Sequence, residues 1–173
     1  MKIKELKKSD YPEYYQQYTG LLPDLDLTEL LQTQKEAMLG LFNSAEKDVD
    51  LNFKYAEGKW TIAEVLQHML DTERIFQYRA LCISRKDQRS LPGFDQDKYV
   101  SAAKANERSL ADFIDEYKAV RDSTIFLFKS FSPEMMQYIG LSNGQDLSAG
   151  AAGFIIAGHE KHHLKLFKGN YQL

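Results

Sequence analysis

The chain has 173 residues, 43% of them hydrophobic, which suffices for one domain, 1–173, with a sizeable core and is too short for two ordinary ones. Its 22 basic and 25 acidic residues are dispersed and leave a net charge of -3, arguing against nucleic-acid and membrane-surface binding. The lone cysteine, Cys82, excludes an intramolecular disulfide framework; with no apolar targeting core and no apolar run of roughly 18 residues, the expected location is the cytoplasm.

The N-terminal Tyr11 to Tyr18 stretch is rich in tyrosine and reads as a short piece laid against the main body. The first long periodic segment, "DLDLTELLQTQKEAMLGLFNSAEK", places Leu27, Leu30, Leu31, Met38, Leu41 and Ala45 at three- and four-residue steps, the signature of an amphipathic helix. Asp26 and Glu29 have the spacing of a capping box. A second helix is predicted from Thr61, whose T-x-x-E box with Glu64 opens "TIAEVLQHMLDTERIFQYRALCIS", and its apolar stripe runs from Ile62 to Ile83. The third covers 101–131, with Leu110, Phe113, Ile114, Tyr117, Val120, Thr124, Leu127, Phe128 and Phe131 in register. The fourth runs over about 147–168. The segments between them are rich in Gly, Pro, Asn and Asp and read as loops, and no run alternates convincingly with period two. The expected fold is therefore all-α, a four-helix bundle whose long connections carry crossovers or wall a pocket.

Three of the four histidines fall in "GHEKHHLKLF" at the end of the fourth helix. His159 and His163 lie one turn apart, about 40° around the helix axis, within reach of one ion, and the apolar direction of the helix passes between them. They should face the bundle, with His162 on the shoulder. The competing reading is a set of polar residues at a helix C-terminus, where an imidazolium complements the helix dipole.

The literal H-E-x-x-H suggests a zinc peptidase with Glu160 as base. That reading is weak, because the ten residues after His163 contain no histidine or acid to complete the site. Glu160 is expected to point away from the bundle interior. The remaining histidine, His68, sits on the shoulder of the second helix, where a structural role is the more common one. Glu64 and Thr72, each one turn from His68, are candidates to accept its second N–H, although Glu64 has a capping role and Thr72 can simply pack. Cys82 reads as a buried small residue, and Trp60, Phe94 and the tyrosines as core or pocket lining without a catalytic role.

Taken in order, "GKWTIAEVLQHMLDTER", "LPGFDQDKY" and "AGHEKHH" resemble the DinB/YfiT-like family of metal-binding four-helix bundles, over nearly the whole chain. The shared marks are Trp60 opening the second helix, His68 about two turns on, and the H-x-x-x-H of His159 and His163. The resemblance implies that His68, His159 and His163 bind one divalent metal, with zinc, nickel and iron all suited to histidine ligands. It implies no polymerase chemistry. The family includes thiol S-transferases and isomerases that use low-molecular-weight thiols such as bacillithiol or mycothiol, and metal-dependent hydrolases. The expected activity is thus activation of a thiol or water by the metal, for S-transfer to a small-molecule electrophile or for hydrolysis. A non-catalytic, metal-stabilised binding module needs the same three histidines. The oligomeric state is open, a homodimer included.

Overall fold

The computed structural model describes residues 1–45 and 49–171. The N-terminal stretch is a string of single turns, with 3-10 turns at Ile3–Glu5, Lys8–Asp10 and Glu13–Tyr15 that run into the one-turn helix α1 (Gln16–Thr19). It is the short helical piece expected from the tyrosine-rich segment.

The first long helix, α2, spans Leu27–Ala45, and the predicted continuation through 47 lies outside the described residues. Its N-terminus departs from the expected capping box. Asp26 Oδ1 accepts the Thr28 amide at 3.0 Å and the Thr28 hydroxyl at 2.8 Å, and Oδ2 takes the Met1 amine at 2.7 Å, so its partners are Thr28 and Met1 rather than Glu29. Helix α3 (Ile62–Ser84) begins as expected: Thr61 Oγ1 accepts the Glu64 amide at 3.0 Å, and Glu64 accepts the Thr61 amide at 2.7 Å.

The third predicted helix is two. Helix α4 (Gln96–Ala102) ends where Lys104 adopts φ +51°, a left-handed conformation that stops helix propagation. After a 3-10 turn at Ala105–Glu107, α5 (Leu110–Lys129) starts afresh under a reciprocal box between Ser109 and Asp112. The apolar period begins only at Leu110, in agreement with that boundary.

A second departure follows α5. The one-turn helix α6 (Pro133–Met136) leads into a small antiparallel hairpin, β1 (Ile139–Ser142) and β2 (Gln145–Ser148), with Ile139 opposite Ser148 and Ser142 opposite Gln145. Its turn is Asn143-Gly144, both with positive φ (51° and 72°), the pairing that two-residue hairpins favour. Four-residue strands carry too little alternation to be read as strands; the Asn-Gly dipeptide was the available signal. The hairpin lies close on α3, since a Cβ on Gly140 would sit 2.8 Å from Ile83 Cγ1.

Helix α7 (Ala149–Gly169) starts at Ser148, whose Oγ accepts the Ala151 amide at 3.0 Å. It packs against α3 and α2, and α5 also packs against α2 and α3. Helices α2 and α3, consecutive long helices of the chain, are therefore diagonal in the bundle, and so are α5 and α7. That placement is the crossover arrangement anticipated from the long connections. Along α7, the alanines, isoleucines and phenylalanine between Ala149 and Ala157 belong to one apolar cluster with Leu31, Phe76 and Phe128, and Phe167 belongs to another with Met38, Leu66 and Phe113. Burying the Leu, Ile, Phe and Met side chains of these clusters contributes about 1.5–3 kcal/mol each. His159, Glu160 and His163 fall between the two clusters, so the buried polar chemistry occupies the waist of the bundle. Among the described residues no helix is long and apolar enough to cross a membrane.

Candidate metal centre

The first half of α7, "AGAAGFIIAGHE", is unusually rich in small residues, and its whole circumference is enclosed. Small side chains let neighbouring segments approach closely, and the consequence is sharpest at Gly158. A Cβ there would lie 2.5 Å from the backbone C and O of Tyr18, so glycine is what allows the N-terminal piece to rest on α7 beside His159. Tyr18 thereby sets its ring edge-on to both His159 and His162, with centroids 5.4 Å away in each case.

The three histidines singled out by the sequence come together. His159 Nε2 lies 3.0 Å from His68 Nε2 across the α3–α7 interface and 3.1 Å from His163 Nε2 one turn along α7. Ring nitrogens of all three lie within 4.8 Å of one another, and the residues are only 5%, 6% and 6% exposed for His68, His159 and His163. Burial lowers the pKa of His68 to about 4, with His162 adding to the effect. Burial first, then the neighbouring imidazoles, holds His159 and His163 well below the ordinary histidine range. All three are neutral at pH 7 and present lone pairs, the form in which imidazole ligates a metal.

The donor set fits a divalent transition metal. Bonds of about 2.0–2.1 Å space adjacent ligand nitrogens roughly 2.9–3.4 Å apart in octahedral to tetrahedral geometry. The observed 3.0 and 3.1 Å separations fall inside that interval. Among the described residues no carboxylate belongs to the cluster, so three neutral ligands would leave an ion its full positive charge. The Trp60 ring, 4.9 Å from the His68 ring between centroids, packs on that imidazole from the start of α3. His162 is half-buried, carries a pKa lowered by burial and then by Lys165, and stays outside the cluster.

One expectation about a neighbouring residue needs correction, and neither candidate partner of His68 accepts from it. Glu160 does not point away from the interior: it is 2% exposed, accepting the Tyr117 hydroxyl at 2.9 Å and Arg121 Nη2 at 2.7 Å. The helix has interior on more than one side, so a position about 100° from His159 still faces the bundle. Arg121 also grips Glu73 through Nε and Nη2, at 2.9 and 2.8 Å, and Thr124 donates to Glu73 at 2.6 Å. Glu160 is therefore a member of a buried ion network rather than a free base. Glu64 is occupied by the Thr61 amide and by Asn106 Nδ2 at 3.3 Å, not by His68. Thr72 Oγ1 is buried and has no hydrogen-bond partner among the described residues.

Thr72 instead helps line a cavity of about 210 Å³ at which His68 and His159 meet Tyr14, Tyr18, Phe94 and Gln96. On the His163 side, Trp60, Tyr55, Tyr171, Lys59 and Asp97 border a second cavity of about 290 Å³. The histidine cluster thus separates two concave spaces. Tyr18, Arg79, Glu73 and Arg121 carry no motif, and the motif that holds Glu160 gives it a different role. For Glu73, Arg79 and Arg121 the sequence signal was charge at helix positions the apolar period assigns to the interior. Cys82 is buried, as expected.

The DinB superfamily family model matches residues 30–167. A protein of Oceanobacillus iheyensis, named putative metal-dependent hydrolase OB0413, is 25% identical over 133 residues, 75% of this chain and 75% of that relative. Among solved structures, YfiT from Bacillus subtilis, described as a probable metal-dependent hydrolase with an unusual four-helix bundle topology, matches with a TM-score of 0.67 and 13% identity, over 97% of this chain and 91% of that one. At that identity the likeness speaks for the fold. The family match spans α2 to α7 and includes all three clustered histidines: the chain belongs to the DinB superfamily.

Proposed function

We propose that this chain is a metal-dependent enzyme in which His68, His159 and His163 hold a divalent ion and a small molecule reacts in the adjoining cavity. The observation that carries the reading is the convergence of three neutral imidazoles beside a space of about 210 Å³. When bound, such an ion supplies Lewis acidity, making water or a thiol available as a nucleophile near neutral pH. Hydrolysis is supported by the name of the Oceanobacillus relative. Transfer of a low-molecular-weight thiol to an electrophile is the second chemistry the same site supports.

The protein's own groups in the cavity bind and orient. Burial raises the Tyr18 phenol pKa well above its ordinary value, helped by its contact with Tyr14, whose hydroxyl oxygen lies 3.4 Å away. Tyr18 therefore remains a proton donor at pH 7. Thr72 Oγ1, buried and unpartnered, offers a donor and an acceptor, and Gln96 adds an amide. The aromatic walls, Tyr15, Phe76 and Phe94, exclude water and favour an apolar substrate body.

The deep burial of the histidines also suits a purely structural ion, so the test must separate the two roles. Metal content, melting temperature and turnover of electrophiles, with and without low-molecular-weight thiols, are measured on the wild type and His159→Ala. The expected result is metal bound by the wild type, with His159→Ala losing metal and turnover while remaining folded. A wild type expressed in metal-replete medium that carries no metal overturns the proposal, and collapse of His159→Ala assigns the ion to the fold.

A further inference from the structure

Two arginines are almost completely enclosed, and their surroundings differ. Arg121 is met by two carboxylates. Arg79, 3% exposed, has as its hydrogen-bond acceptor the Pro92 carbonyl oxygen, 2.9 Å from Nη2. Its guanidinium otherwise rests over the Phe76 and Phe94 rings, 4.7 and 6.0 Å from their centroids. Among the described residues no carboxylate forms an ion pair with it, and the phenol of Tyr15 is the polar side chain beside it. A guanidinium offers five N–H donors, and enclosing its charge without a counter-ion is costly unless something later supplies one.

Its position tells what that something is. Eleven residues of helix bring Arg79 round to within about 20° of the direction of His68 and about 16 Å farther along the axis. His68, Thr72, Phe76 and Arg79 thus lie on one stripe of α3. Helical side chains lean toward the helix N-terminus, in keeping with the Arg79 guanidinium lying over Phe76 three residues earlier, which narrows its distance from the histidines to the order of 10 Å. Arg79 lines a cavity of about 270 Å³ with Arg74, Tyr78, Leu91 and Tyr99, and among the described residues no acidic one borders it. Phe94 is the wall this cavity shares with the histidine cavity. Arg74 is already paired with Glu116, so one positive charge faces this space without a carboxylate.

We propose that Arg79 anchors the carboxylate of an elongated small-molecule substrate or co-substrate whose reacting end lies at His68 and His159, across Phe94. One uncompensated charge matches a monoanion, and the planar guanidinium fork matches a carboxylate. The spacing selects an extended molecule over a single amino acid. The inference rests on the metal-site reading for the identity of the reacting end, but not for the anion site itself.

The probes are mercapto-octanoate and mercapto-octanol, equal in length and sharing a thiol, titrated calorimetrically into cobalt-loaded protein while the thiolate-to-cobalt absorption is followed. The wild type is expected to bind the acid about tenfold or more tighter than the alcohol. In Arg79→Met that preference is lost with the alcohol's affinity unchanged, and Arg79→Lys recovers part of it. Arg79→Met is also expected to melt no lower than the wild type, because it removes an unpaired buried charge; a sharp fall in melting temperature assigns Arg79 to the fold and overturns the inference. Equal affinities of the wild type for the two probes overturn it without any variant. A carboxylate preference without the thiolate–cobalt band refutes the metal-site reading and leaves the anion site standing.

Discussion

Replacing Arg121 by methionine tests whether the buried network beneath the histidines is a stabilising element. Arg121 is 0% exposed and donates three hydrogen bonds of 2.7–2.9 Å to the carboxylates of Glu73 and Glu160. Bonds to charged groups contribute about 1.5–3 kcal/mol each, so the gross loss is several kcal/mol, partly offset because the variant no longer desolvates a guanidinium. What remains is two enclosed carboxylates with only the neutral donors Tyr117 and Thr124. Stranding one side of a buried pair in this way costs about 3–5 kcal/mol, a large share of the roughly 5–15 kcal/mol by which domains are stable. Urea unfolding of metal-stripped wild type and Arg121→Met reads this directly, and the melting temperature should fall by roughly 6–20 °C. A loss below about 1 kcal/mol would refute the reasoning, since it would mean that the carboxylates do not need the cation. Replacing Arg121, Glu73 and Glu160 together by apolar residues of similar volume should restore most of the loss, because no charge is then left unpaired.

Two further outcomes follow from the site. In the metal-stripped protein, the unfolded chain protonates His68 near its ordinary value of 6.5, whereas the folded chain resists until about 4. Below pH 6.5 the unfolded state therefore binds more protons, and stability is lost as pH falls from about 6.5 toward 4, by on the order of 3 kcal/mol from His68 alone. His159 and His163, shifted the same way, steepen the loss, and urea midpoints that stay flat across this window would contradict the burial argument. Gly158→Ala should displace the Tyr18 segment from α7, because the new methyl would meet Tyr18 backbone atoms at 2.5 Å. The expected readouts are increased amide exchange at Tyr14–Tyr18 and weakened ligand binding with metal affinity largely retained; unchanged exchange would show that the close approach is not required.

Much of the architecture was legible because it is written in local chemistry. The helix starts at Thr61 and the long apolar stripes depend on residue spacing alone, and the T-x-x-E box forms as read. His159 and His163 were legible as a pair for the same reason: one turn of helix fixes their separation whatever surrounds it. The break at Lys104 and the four-residue hairpin were not, since one left-handed residue and two very short strands leave almost no periodic trace.

The sequence by itself determined which residues could ligate a metal and that they belong to helices. Tertiary structure decided the rest of the site. His68 joins the pair only because the diagonal placement of α2 and α3 brings α3 against α7. Glu160, which its motif offers as a base, is committed instead to Arg121 and Tyr117, residues 39 and 43 positions away. Arg79 is a stripe position like its apolar neighbours until folding encloses it with no carboxylate partner among the described residues. In each case the deciding quantity is which polar groups meet across a helix interface once water is removed. Periodicity along one helix carries no information about that.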